Sequence, residues 1–136
     1  MKTNCRLFPI LYFSFIFFTN AAKAQTSNLD SIYDKVGVEA SFPGGADAWS
    51  KYISDKIADK VSDFGKKDYG TCIVRFIVDK TGKISSVEAM TMKDSKLAKY
   101  VIKAIEKGPY WVPAEEDGKK VNAYRLQPVT VTQSDQ

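Results

Sequence analysis

The sequence predicts an α+β domain of two layers, a three-stranded, antiparallel-type sheet in the order 2-1-3 with two helices on one face. Three observations predict it. Apolar residues alternate from Gly70 to Asp79, hairpin-turn chemistry follows at Asp79-Lys80-Thr81-Gly82, and two flanking stretches repeat apolar residues at helical spacing.

The first helical stretch runs from about Ala46 to Val61. Trp49, Tyr52, Ile53, Ile57 and Val61 share one face, while Lys51, Asp55 and Asp59 take the other. Phe42-Pro43-Gly44-Gly45 punctuates the chain ahead of it, and Gly65 to Gly70 reads as a loop behind it. In the strand that follows, Cys72, Val74, Phe76 and Val78 point one way and Thr71, Ile73, Arg75 and Ile77 the other. Asp79 first and Gly82 last suit a hairpin built on a type I turn, with the glycine supplying positive φ. A second strand returns from Lys83. Its apolar residues Ile84, Val87 and Ala89 break the two-residue period once, which places a bulge or bend near Ser85-Ser86.

Asp94 or Ser95 caps the second helix, whose stripe is Leu97, Ala98, Val101, Ala104 and Ile105 and whose end is marked by Gly108-Pro109. Lys96, Lys99, Lys103 and Lys107 line its other face. The plain reading of such a row is a solvated surface; the other reading is a site for an acidic partner or an anionic surface. Tyr110-Trp111-Val112-Pro113 leads into the charged turn Glu115-Glu116-Asp117-Gly118, and a last strand runs from Val121 to about Thr132. Pro128 interrupts that strand and cannot donate to a ladder, so the strand is expected at the sheet edge or bulged there. A right-handed helical crossover returns it parallel to the second strand, on the far side of the first. Trp49 and Trp111 are the aromatic residues expected in the core.

The segment ahead of this domain has a different composition. Lys2 and Arg6 precede an almost wholly apolar run from Leu7 to Phe18, and Ala22-Lys23-Ala24 forms a small-x-small cleavage pattern. The run of 12 residues is shorter than the roughly 18 to 20 that a spanning helix needs. Residues 1–24 are therefore read as a signal peptide cleaved after Ala24, with an uncleaved inner-membrane anchor as the alternative. Residues 25–41 form a short leader, and residues 42–136 the domain. Of the 136 residues, 24 belong to the signal segment, and the 112 that remain suffice for one domain with a modest core.

The 20 basic residues include three in the signal segment, so 17 remain against 16 acidic ones, and the exported chain is near neutral. That charge lacks the footprint of a nucleic-acid binder, and no membrane contact is expected after cleavage. Cys5 leaves with the signal segment. Cys72 then stands alone, lies in the alternating strand, and reads as a small buried hydrophobe.

The chain has no histidine, which removes Ser-His-Asp and Cys-His nucleophilic sites and the commonest metal ligand. Glu115, Glu116 and Asp117 offer a formal carboxylate pair, but in a Gly-containing turn they read as a solvated loop. Gly44-Gly45 lacks the context of a phosphate-binding loop, and the aspartates miss the calcium-loop spacing. No catalytic residue, cofactor site or metal site is assigned, and the expectation is a non-enzymatic binding module.

The residues also resemble a known family. Gly70, Cys72, Val74, Phe76, Val78, Asp79, Gly82 and Ile84 are similar to the hairpin of TonB C-terminal domains, with Cys72 where the family usually has valine. Downstream, Ala104, Ile105, Trp111, Pro113, Gly118, Val121, Tyr124, Leu126, Pro128 and Val129 resemble the family's ending. Phe42-Pro43-Gly44-Gly45 resembles a lead-in common in members from Bacteroidetes. The resemblance implies a periplasmic domain that grips an extended segment of an outer-membrane transport protein by β-strand addition. It marks the last strand as the partner-binding edge, through Ala123, Tyr124, Arg125, Leu126, Gln127, Pro128, Val129, Thr130 and Val131. The bland reading of that strand is an edge kept open but protected by Arg125 and Pro128. The same edge also suits pairing with a second copy, so a homodimer or hetero-oligomer with an assembly role is the alternative function. Two departures from the family pattern are the 16-residue stretch from Gln25 to Ala40, which reaches only about 50 Å fully extended, and the absence of Tyr-Pro after the first helix. A stand-alone module that does not itself transmit force is therefore expected.

Overall fold

The structure is a computed structural model and describes residues 31–134. The signal peptide expected at residues 1–24, its expected cleavage after Ala24 and the first part of the expected leader lie outside the described residues. The elements are β1 (Ile32–Tyr33), α1 (Gly45–Ile57), β2 (Gly70–Val78), β3 (Ile84–Ala89), α2 (Lys96–Glu106), β4 (Ala114–Glu116) and β5 (Lys119–Val131). Two 3-10 turns, Val61–Asp63 and Lys66–Asp68, join α1 to β2.

The strands β3, β2 and β5 lie side by side in that order, which is the expected 2-1-3 arrangement. The expected three-stranded antiparallel sheet is nonetheless corrected to a mixed sheet of five strands. β1 adds to the outer side of β5 in parallel, Ile32 opposite Asn122 and Tyr33 opposite Ala123, and β4 forms a hairpin with the start of β5. Neither addition carries a usable period. β1 has two residues, and β4 consists of Ala114, Glu115 and Glu116, whose acidic pair reads as a turn. The turn itself is Asp117-Gly118, both at positive φ (50° and 74°), the geometry of a two-residue hairpin connection. The leader residues that are described pair with the fold: Val38 bridges Glu115, Ser41 bridges Val112, and Ala40 is buried.

The β2–β3 turn has the expected chemistry. The Asp79 side chain accepts from the Thr81 and Lys83 amides at 2.8 and 3.0 Å, and Gly82 takes φ 90°. The expected bulge sits at Ser86, at φ 52°, where the register steps from Arg75 opposite Glu88 to Ile77 opposite Ser85. Ser95, rather than Asp94, caps α2, its hydroxyl accepting from the Ala98 amide at 3.0 Å. α1 ends at Ile57 rather than Val61, and the chain tightens into the first 3-10 turn.

Both helices pack on the face of the sheet that carries Cys72, Val74, Phe76 and Val78, all with no exposed surface. The stripe Leu97, Ala98, Val101, Ala104 and Ile105 meets that face, and Trp49, Ile53 and Ile57 of α1 close the layer. Each large side chain so buried contributes about 1.5–3 kcal/mol. Trp111 rests against Phe76 with ring centroids 4.9 Å apart, and Phe42, Trp49 and Trp111 form an aromatic cluster at 5.5–5.7 Å. Among the described residues, no helix is long and apolar enough to cross a membrane.

Candidate functional site

β5 is 13 residues long, and its inner side is fully used. From Ala123 opposite Val78 to Val131 opposite Gly70 the register with β2 is continuous, so Pro128 introduces no bulge. The reason lies in the alternation of an antiparallel ladder. Ile73 faces β3: its amide donates to Thr91 Oγ1 at 2.9 Å and its carbonyl accepts from the Met90 amide at 2.7 Å. Its partner Pro128 therefore turns its own peptide groups away from β2, along with Tyr124, Leu126 and Thr130. The proline loses no bond to β2, because its missing N–H belongs to the outer row.

That outer row is covered by β1 only at Asn122 and Ala123. Beyond them, among the described residues, no strand pairs with the outer side of Tyr124 to Val131. The sequence-assigned residues are thus one continuous strand, internal at Ala123 and open from Tyr124 onward.

The two faces beside this edge differ. Tyr124, Leu126, Pro128 and Thr130 lie on the face without helices, where Leu126 is 55% exposed and the Arg75 guanidinium sits 4.8 Å above the Tyr124 ring. Arg125 and Gln127 stand opposite Phe76 and Val74, hence on the helix face. They wall a pocket of about 180 Å³ whose floor is Phe42, Trp49 and Trp111. The Arg125 guanidinium pairs with Glu39 and reaches Gln127 Oε1 at 3.3 Å, while its Nε is buried without a partner. Burial holds the Arg125 pKa below its ordinary value.

Sequence reasoning placed Trp49 and Trp111 in the core, and both are buried, yet it did not connect them to the edge. A signal was present. Arg125 and Gln127 occupy the period-2 positions between Ala123 and Val129, where a fully covered face would carry apolar residues.

The three clustered carboxylates do not form a pair. Glu115 and Glu116 are adjacent in β4 and so point to opposite faces, Glu116 accepts from the Gly37 amide at 2.6 Å, and Asp117 lies in the turn. Cys72 is buried, and burial raises its thiol pKa. The arrangement offers main-chain donors and acceptors, one partly buried cation and an aromatic floor, which are means of recognition.

No curated protein and no solved structure gave a match. Residues 66–130, which hold the β2–β3 hairpin, α2, β4 and all but the last residue of β5, match the family described as Gram-negative bacterial TonB protein C-terminal. The Phe42-Pro43-Gly44-Gly45 lead-in lies ahead of the matched span. With the hairpin, the helical crossover and the long last strand all inside it, the domain of residues 66–130 belongs to the TonB C-terminal domain family.

Proposed function

We propose that this chain is an exported, periplasmic protein-binding module that takes up an extended segment of an outer-membrane transport protein as an added strand along Ala123 to Val131. Domains of the family are non-enzymatic interaction modules whose partners are outer-membrane transporters, which supports the kind of partner. The observation that carries the reading is the open outer row from Tyr124 to Val131. An extended chain laid there completes the ladder through Leu126 and Thr130, and alternate side chains settle on Leu126 on one face and over the Arg125 pocket on the other. Residues 1–24 act in this reading as a signal peptide removed after Ala24, which N-terminal sequencing of the exported protein tests directly.

The binding test is an NMR titration of isotopically labelled residues 25–136 with extended periplasmic segments of outer-membrane receptors. Shift changes centred on Tyr124 to Val131, with weaker ones on Gly70 to Val78 behind, are expected. N-methylation of the peptide should abolish binding at every second amide and spare the ones between, because only alternate groups face the edge. Absence of shifts at millimolar peptide would remove the reading. A mass that doubles with concentration, together with the same shifts in the absence of peptide, would replace it with assembly through pairing of this edge with a second copy.

A further inference from the structure

We propose that the groove between α1 and α2 is a second docking surface, for an acidic polypeptide segment that sets an apolar side chain between its carboxylates. It shares no residue with the pocket beside β5 and does not rest on the strand-addition reading.

The groove encloses about 220 Å³. Tyr52, Tyr100 and Ala104 form its floor, and the Tyr52 hydroxyl is held by donation to the Ala104 carbonyl at 2.7 Å. Four lysines converge on this floor from two separate segments, Lys56 and Lys60 from the end of α1 and the turn after it, Lys103 and Lys107 from the end of α2. Lys56 Nζ lies 5.5 Å from the Tyr52 ring centroid. A larger depression of about 530 Å³ continues past Tyr100 along α2, where Lys96 and Lys99 join Ile102 and one carboxylate, Glu106.

Among the described residues, an ion pair neutralises this surface only at Lys60. Lys60 pairs with Asp59, and Lys96 Nζ donates to the Asp63 carbonyl, but among the described residues Lys99, Lys103 and Lys107 take part in no ion pair. Each helix end favours a cation in its last turn, which accounts for Lys56 and Lys103 taken singly. It does not account for four ammonium groups gathered around a tyrosine floor. Their mutual repulsion is relieved by an anion, and residues 25–136, with 17 basic side chains against 16 acidic ones, have concentrated positive potential here.

Shape selects among anions. The surface is concave with an apolar floor, so it receives a protruding side chain rather than a flat headgroup layer. From Lys96 to Lys107 it runs ~16 Å along the helix, the length of about five extended residues. In an extended segment the apolar side chain packs down on Tyr52 and Tyr100 while the acids on either side of it face outward, where the long lysine side chains of the rim reach up to them.

The test uses the full chain and three probes: a blocked peptide alternating glutamate and leucine, its glutamine counterpart, and phosphatidylglycerol vesicles. The glutamate peptide is expected to shift Tyr52, Tyr100, Lys103 and Ala104 and to leave Tyr124 to Val131 unmoved. Affinity should fall about tenfold in the exposed-site variant K103E/K107E, and more weakly in K103Q/K107Q. It should also fall as salt is raised. Circular dichroism checks that both variants are folded. Equal binding of the glutamine peptide, indifference to the lysine changes, shifts confined to the β5 edge, or lysine-dependent binding to vesicles without peptide binding would each overturn the proposal.

Discussion

Gly82 and Trp111 fix the β2–β3 turn to the segment that follows α2. The Trp111 amide donates to the Gly82 carbonyl at 2.9 Å, and the Trp111 carbonyl oxygen occupies the place where a Cβ on Gly82 would stand. This contact holds the Trp111 ring against Phe76, so a glycine in a surface turn sets the aromatic floor beside β5.

Gly82→Ala should therefore destabilise by about 2–4 kcal/mol, combining positive φ with a backbone clash. Gly118→Ala, at φ 74° with no atom near its Cβ direction, should cost only about 1–2 kcal/mol. Urea unfolding of the two variants checks the difference. Equal losses would mean that the Trp111 backbone gives way without cost.

Asp68 joins the second 3-10 turn to the start of α2. Its carboxylate is buried and accepts from the Lys96 amide at 2.7 Å and the Gly65 amide at 2.9 Å. These two bonds lower its pKa below the ordinary carboxylate value, with the Lys96 amide the largest contributor. A depressed folded-state pKa gives stability that is present above the unfolded pKa, near 3.9, and is lost as pH falls through the folded one. Asp68→Asn should lower the melting temperature at pH 7 and flatten its dependence on pH below about 4. Parallel acid titrations of the two proteins, followed by circular dichroism, check this.

Arg125 sits on the helix face with its Nε unpartnered, and its partner Glu39 is mostly exposed. Glu39→Gln should cost less than about 1 kcal/mol. Arg125→Met, which replaces a partly buried cation whose Nε has no partner with an apolar chain, should be neutral or stabilising by about 1 kcal/mol. A loss of 2 kcal/mol or more in thermal unfolding would show the guanidinium to be fully compensated. If the pocket serves binding, Arg125→Met should weaken the peptide while leaving the fold intact.

Cys72 has no exposed surface, and burial raises its thiol pKa. In a Cys5→Ser background it should resist a thiol-specific disulfide reagent in native buffer at pH 8 and react fully in urea. Cys72→Val should change stability by less than about 1.5 kcal/mol, since the two side chains differ little in volume. Rapid native labelling would show that β2 opens locally.

Much of the fold was legible because local chemistry and period agreed. The alternation of Cys72 to Val78, the Asp79 to Gly82 turn, the break near Ser86 and the α2 stripe each carry their own signal, and each is where the sequence placed it. β1 and β4 were not legible. Two and three residues hold no period, and their strand state comes from partners 90 and three to seven residues away on β5. The same limit applied to the site. Pro128 announced an edge, but that its missing N–H falls in the outer row, that β1 covers only Asn122 and Ala123, and that Arg125 and Gln127 close a pocket over Trp49 and Trp111 were decided by register and packing. The two helices and the three long strands are written in the sequence, because each is set by neighbours along the chain. Which backbone groups stay open, and that Arg125 is partly buried over the aromatic floor, depend on what lies beside the strand rather than along it, so they emerge only with the packed fold.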